Sequence, residues 1–452
     1  MPCPHSRSTD DEDHGIERRE FMKTALAIGG TSAMFAAKAR GEPVLQGSTE
    51  GLPARQYAWN DFMPKNGLTG LAKTPAHHLQ LLVDYTGDGT PTEADREQVE
   101  AALQTLEDAY EWDNEGLMFT IGYSLSYFDR FDEDLPESAG MRPPEDIIDE
   151  TDIASSGKIE ADHADAHLHL ASKHAHVLLE AEEALFGAVD EVNGVDVETD
   201  LSGVFEKTDR RTGFIGNPKE RWDEDLQGKN PIEEGASVFF GFKSLFTDSQ
   251  PSEDDVAIQE GPFADGTTEQ VSLLLDNNLK QWYGKHDIEE RIERMYSPSH
   301  TLDETGEFGR KLAERDGTSA PSDEKSMGDA AAETAEDAED KGVVGHAQKL
   351  ARARVDDPDW EDGRPLILRR DFPSTDGGRA HTQFISNQRR IDDFISVRKA
   401  MAFVDWDADD PDPAESEVQL KDHGIQGHFK VQSRATFLVP PRDLRALPPA
   451  SP

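Results

Sequence analysis

Two kinds of segment alternate along this chain, and the same order occurs twice, which limits the fold more than any other feature. "HHLQLLVDYT" (77–86) is rich in apolar and β-favouring residues and reads as a strand. After an acidic turn, residues 93–110 place Val99, Leu103, Leu106 and Tyr110 at helical spacing. "GLMFTIGYSLSYF" (116–128) reads as a second strand and "AHLHLAS" (166–172) as a third. "KHAHVLLEAEEALFGAV" (173–189) reads as a helix and "LSGVFEKTD" (201–209) as a fourth strand. That order is β-α-β-β-α-β, the split βαβ or ferredoxin-like unit. It recurs as "TEQVSLLLDNN" (268–278), "HDIEERIERMY" (286–296), "RPLILRRDF" (364–372), "AHTQFISNQ" (380–388), "RIDDFISVRKAMAF" (390–403) and "GHFKVQSRATFLV" (427–439). The expected class is α+β, two tandem ferredoxin-like units related by topology rather than by obvious sequence.

These patterns divide the chain into a leader and connector (1–45), a linker (46–75) and a first unit (76–210). An inter-unit segment (211–262), a second unit (263–440) and a tail (441–452) follow. Within the second unit, residues 315–342 are acidic, small and poor in apolar residues, and read mostly as solvated loop with some helix from their Ala and Glu content.

Of 452 residues, 92 are Asp or Glu and 46 are Lys or Arg, a formal charge of -46 spread along the whole sequence. A polyanion would be repelled, so nucleic acid is excluded as a natural partner. Self-repulsion on this scale weakens a compact state unless salt screens it, and the composition resembles that of proteins from extreme halophiles. Charge runs in such a chain read as solvated faces. The single cysteine, Cys3, rules out an intramolecular disulfide or a site built from several cysteines.

Near the N-terminus, Arg18 and Arg19 precede Phe21-Met22-Lys23, a short apolar stretch from Thr24 to Ala37, and the small-x-small step Ala37-Lys38-Ala39. Gly29, Gly30, Thr31 and Ser32 dilute the apolar stretch, so it is a poor spanning helix. The pattern resembles a twin-arginine export signal, which implies the twin-arginine translocase as a partner and an extracellular or cell-surface location. That route carries folded cargo, often loaded with a cofactor beforehand.

Five of the fifteen histidines lie between Ala161 and Leu185: His163, His167, His169, His174 and His176. Such spacings suit a metal site. On a strand His167 and His169 share one face, but the following helix offers Val177, Leu178, Ala181 and Leu185 for packing, and a structural role is the simpler reading. His77 and His78 are neighbours on a strand and face opposite ways. There is no P-loop, no GxSxG and no dinucleotide fingerprint.

The strongest functional signal lies between Gly345 and Met401. His346 is followed by a short basic run, then Ile367-Leu368-Arg369-Arg370, then Phe384-Ile385-Ser386-Asn387-Gln388, then an amphipathic helix from Phe394 to Met401. In that order the elements resemble the haem-binding half of the dye-decolourising peroxidases. The resemblance extends over roughly 75–440, with specific motifs only in this stretch. It implies two ferredoxin-like units packed sheet to sheet, the dimeric α+β barrel type. It also implies haem b, with His346 as axial iron ligand, Arg369 as distal electrostatic and catalytic group, and Phe384 at the haem. Hydrogen peroxide and an organic reductant would be the substrates, and a homo-oligomer is possible. On local sequence alone, His346 also reads as an exposed histidine at a helix end, and Arg369 as a surface arginine.

One departure bears on activity. The resemblance calls for Gly-x-x-Asp-Gly between the units, its Asp serving as distal acid–base. The matching stretch is Gly213-Phe214-Ile215-Gly216-Asn217, with Gly216 where the Asp belongs, and Glu220 a turn further on. Asp265-Gly266 has the wrong frame. Three readings therefore stay open: a haem peroxidase, a non-catalytic haem- or ligand-binding protein on the same fold, and a metal-binding protein using the His-rich segment.

Overall fold

The computed structural model describes residues 44–65, 72–151, 158–232, 238–241, 249–276, 278–299, 334–360, 363–402 and 424–452. The twin-arginine stretch and most of the acidic insertion lie outside them. No helix among the described residues is long and apolar enough to cross a membrane.

In the first unit, strands β1 (His77–Tyr85), β2 (Met118–Tyr123), β3 (Ala166–Ser172) and β4 (Phe205–Phe214) are laid side by side as β2-β3-β1-β4. In the second, β5 (Thr267–Leu275), β6 (Leu368–Arg369), β8 (His381–Gln388) and β9 (Lys430–Val439) take the order β6-β8-β5-β9, with β7 (Phe372–Ser374) also on β8. Both orders are second-third-first-fourth with antiparallel neighbours, so each unit is a ferredoxin-like sheet. The fold is thus the expected α+β pair of units.

β9 and β2 join the two sheets edge to edge through the Leu438–Tyr123 pair. At the other end, Thr212 of β4 bonds Asp376, through both its N–H and its hydroxyl, each at 2.5 Å. Gly213 there is obligatory: a Cβ would lie 1.9 Å from Cδ2 of Phe372 on β7. Between the sheets, Leu82 of β1 packs with Val271, Phe372, Ile385, Ala435 and Phe437 of the second unit. The sheets therefore meet face to face as well as at their edges.

Helix α1 (Glu93–Ala109) opens with a capping box, Thr92 accepting from the Asp95 N–H and Asp95 accepting from the Thr92 N–H. It buries Val99, Leu103 and Leu106 with α2 (Ala175–Leu185), on the side of the sheet where Leu79, Leu81 and Val83 point. Because side chains alternate along a strand, His78, Gln80 and Leu82 point the other way, between the sheets.

The second strand of the sequence reading is shorter than expected. It stops at Tyr123 because the Ser124 hydroxyl accepts from the Tyr127 N–H and starts a helical turn, Leu125–Phe128. "RPLILRRDF" is likewise broken, pairing as strand only at Arg364–Pro365, Leu368–Arg369 and from Phe372. Both flanks of the paired units are packed. Tyr57 and Trp59 are buried ahead of β1, and after β9 the buried Arg445 guanidinium pairs with Glu100 and Glu107 of α1.

A candidate cofactor cavity

Three short helices build the wall that carries His346: α3 (Ile288–Met295), α4 (Thr334–Lys341) and α5 (His346–Arg352). His346 is the first residue of α5, and Gly345 precedes it because the chain presses on the backbone of Tyr296. A Cβ at Gly345 would lie 1.9 Å from the Tyr296 carbonyl oxygen. The described end of the acidic insertion is not solvated loop. On α4, Asp337 is buried and accepts hydrogen bonds from Ser297, Ser299 and Gln348. Gln348 in turn accepts from the Gly345 N–H, which fixes the first turn of α5.

A cavity of about 280 Å³ lies between this helical wall and the outer face of the second sheet. From the helices come His346, Leu350 and, on α6 (Ile391–Ala402), Phe394, Val397, Arg398 and Met401. The sheet wall supplies Ser272, Leu274, Asp276, Thr382, Phe384 and Arg434. Arg369 stands at the edge strand β6 and also lines the space. The three residues singled out for a haem site, His346, Arg369 and Phe384, are thus brought to one cavity from a helix, an edge strand and an inner strand.

Burial pushes the His346 imidazole down to about 3, and the positive charges of Arg369, Lys349 and Arg398 add to the effect. The ring is neutral at any ordinary pH, and its Nδ1 is buried with no hydrogen-bond partner. A neutral imidazole that lines a cavity can give a lone pair to a metal ion there. Burial also lowers the Arg369 pKa, partly offset by Asp371. Its backbone N–H is held by Gln250 Oε1 at 2.7 Å. The neighbouring Arg370 is differently employed, bonding Glu253 at 2.7 Å and Asn60 at 3.0 Å with its guanidinium over the Trp59 ring.

The turn after β4 presents Ile215 to the cavity and no carboxylate. Gly216 has φ +91°, and Asn217 at φ 53° is also left-handed, while Glu220 is exposed. Sequence reading missed Asp276, Arg398 and Arg434. Their strands and helix were recognised, but which face met a cavity depends on how α5 and α6 sit over the sheet.

Four of the five clustered histidines take separate partners, although the rings of His167 and His169, and of His174 and His176, stay close. His163 pairs with Glu145 at the surface, and His174 with Glu115. His167 is fully buried and its Nδ1 stands 2.7 Å from Glu269 of β5. His169 Nε2 meets His78 Nδ1 at 3.0 Å, a pair linking β3 and β1 that adjacent-residue reasoning at His77–His78 overlooked. Burial pushes His78 down to about 3 and His169 well below its ordinary value. Among the described residues, no group of three His, Cys, Asp or Glu stands close enough to hold a metal ion.

A family model described as a family of unknown function, DUF7405, matches residues 75–441. Comparison with curated protein sequences finds no match. Similar solved structures include a dye-decolorizing protein from V. cholerae, at 13% identity over 85% of this chain and 97% of that one, TM-score 0.49. A Rhodococcus jostii DypB variant in complex with heme is 15% identical over 87% of this chain and 99% of that one, TM-score 0.49. The encapsulated DyP-type peroxidase from Mycobacterium smegmatis is 17% identical over 86% and 100%, TM-score 0.48. Values this low carry no residue role from those proteins to this chain.

Proposed function

The chain belongs to DUF7405, a family of unknown function, and from that premise we propose, on the strength of its own cavity, that it is an exported haem-binding protein that oxidises an organic reductant with hydrogen peroxide. The observation that carries the reading is the His346 imidazole: neutral, lining the cavity, with a buried ring nitrogen that has no partner. Such a residue would hold a haem iron. The apolar side chains of Leu350, Phe384, Phe394 and Met401 suit a porphyrin, and Arg398 and Arg434 suit its carboxylates. Bound haem b supplies the electron transfer of a peroxidase. The protein's own part would be to hold the cofactor at His346, to keep the ring uncharged by burial, and to offer the Arg369 charge to a peroxide in the cavity.

Export rests on Arg18-Arg19 and the apolar stretch after them, with the twin-arginine translocase as partner. The test of turnover is peroxide-dependent oxidation of a dye by haem-loaded protein at molar salt. Arg369→Ala should reduce it by about 100-fold or more. Bound haem with negligible turnover in the unaltered protein selects a second reading, a non-catalytic haem or ligand carrier, which the carboxylate-free turn at Ile215–Asn217 favours.

A further inference from the structure

Among the described residues that line the cavity there are two carboxylates, Asp371 and Asp276. Asp371 is half-buried beside Arg369. Asp276 is only 7% exposed and directly follows β5. Ser272, Leu274 and Asp276 are two residues apart, and all three line the cavity, as one face of an extended chain should. The partner of the Asp276 carboxyl is the Thr382 hydroxyl of β8, which donates at 3.3 Å and lines the same space. Arg434, also on this wall, bonds the Ser272 hydroxyl at 2.9 Å. The other titratable or charged groups facing the cavity are Lys73, His346, Arg369, Arg370 and Arg398.

A buried carboxyl with only a long hydrogen bond from one hydroxyl is held in its neutral form. Burial drives Asp276 up to about 8, and the Thr382 bond only partly opposes it. At neutral pH the group is therefore a hydrogen-bond donor aimed at a cavity whose opposite wall carries His346. His346 and Asp276 thus line one cavity from its helical wall and its sheet wall.

We propose that Asp276 is the proton-exchanging group of this cavity, holding a proton at neutral pH and trading it with a weakly acidic ligand bound against the sheet wall. For the identity of that ligand, a peroxide, the proposal rests on the haem reading; that the carboxyl holds a proton does not. The exchange breaks one O–H bond and forms another. The minor ionised fraction of Asp276, which grows as pH rises towards 8, takes the proton from one ligand oxygen, the bonding pair stays on that oxygen, and the protonated carboxyl returns the proton to the other. No electrons leave the pair of reactants.

Infrared spectroscopy of the cofactor-free protein at molar salt tests the first half. A carboxylic-acid C=O band should be present at pH 6, vanish with a midpoint near 8, and be missing in Asp276→Asn. Thr382→Val, which keeps the carboxyl, should move the midpoint upward. A band that survives in Asp276→Asn, or a midpoint unmoved in Thr382→Val, overturns the assignment. The second half uses cyanide, a weak acid, as probe of haem-loaded protein. Its association rate should rise with pH through the Asp276 titration. In Asp276→Asn it should fall by at least about tenfold and lose that inflection, with the Soret band kept. An unchanged rate overturns the exchange role. If the unaltered protein takes up no haem, the haem reading falls alone, and the infrared band still decides Asp276.

Discussion

Gln348 donates its side-chain N–H to Asp337 at 2.6 Å, and through this one contact the end of the acidic insertion anchors the helix that begins at His346. Asp337 also accepts from Ser297 at 3.1 Å and Ser299 at 2.6 Å, and is 1% exposed. Replacing it by Ala strands several buried donors at once, so Asp337→Ala should cost about 2–3 kcal/mol. Denaturant unfolding at fixed high salt measures this. Burial alone would raise the Asp337 pKa, but hydrogen bonds from Ser299, Lys341 and Gln348 bring it below the usual carboxylate range. Its contribution is therefore present above the unfolded carboxylate value of about 4 and is lost as pH falls through the lower folded value. Asp337→Asn should flatten that acid limb.

His346 has the opposite chemistry and the same sign. Its folded pKa of about 3 lies below the ordinary histidine value, so the unfolded chain binds the proton first. Stability from this residue is intact above about pH 6.5 and declines as pH falls from there towards 3. His346→Gln should remove that slope. For the same reason haem affinity should stay level between about pH 8 and 5, where an exposed histidine would titrate. Haem titrations across that range check it, and a loss of affinity centred near 6.5 would show that the ring is not enclosed.

Closure of the two sheets depends on the absence of a side chain at one residue. Gly213→Ala puts a methyl into the Phe372 ring and 2.8 Å from the Pro373 carbonyl oxygen. The expected cost is about 1–3 kcal/mol. Adding Phe372→Leu should recover part of it, because the clash is with the ring edge. A double-mutant cycle by thermal or denaturant unfolding reads the coupling.

Inside the paired sheets, Glu269 is 2% exposed and contacts His167 Nδ1. Glu269→Ala leaves that nitrogen without its partner in the interior and should destabilise by about 1–3 kcal/mol. Elemental analysis should find the same metal content in the unaltered protein and in a His167→Ala, His169→Ala double variant. Loss of a stoichiometric metal in the variant would restore the metal-site reading.

The repeat order of strands and helices was legible in the sequence because period-two and helical patterning are local. The edges of elements were less so. Ser124 ends a strand that its apolar neighbours would continue, and "RPLILRRDFPS" splits because Arg364-Pro365 pairs with Arg354-Val355 while Leu368-Arg369 and Phe372–Ser374 pair with β8. The site was half legible. His346, Arg369 and Phe384 stood out through their order along the chain, and all three line the cavity. Asp276 gave no signal of its own. In "LLLDNN" it reads as the polar end of a strand, and only the packing of α5 and α6 over that face makes it a buried acid. The five histidines drew attention by number, yet four of them, His163, His167, His169 and His174, meet partners distant in sequence: Glu145, Glu269, His78 and Glu115.

The central claim is that His346 holds haem. Its most direct test is the visible spectrum of full-length protein titrated with haem at molar salt, beside His346→Ala. If His346 holds haem, the unaltered protein gives a saturable Soret band at one equivalent that is shifted or lost in His346→Ala, while both proteins keep the same far-ultraviolet circular dichroism. No Soret band in the unaltered protein, or one unchanged in His346→Ala, would contradict it.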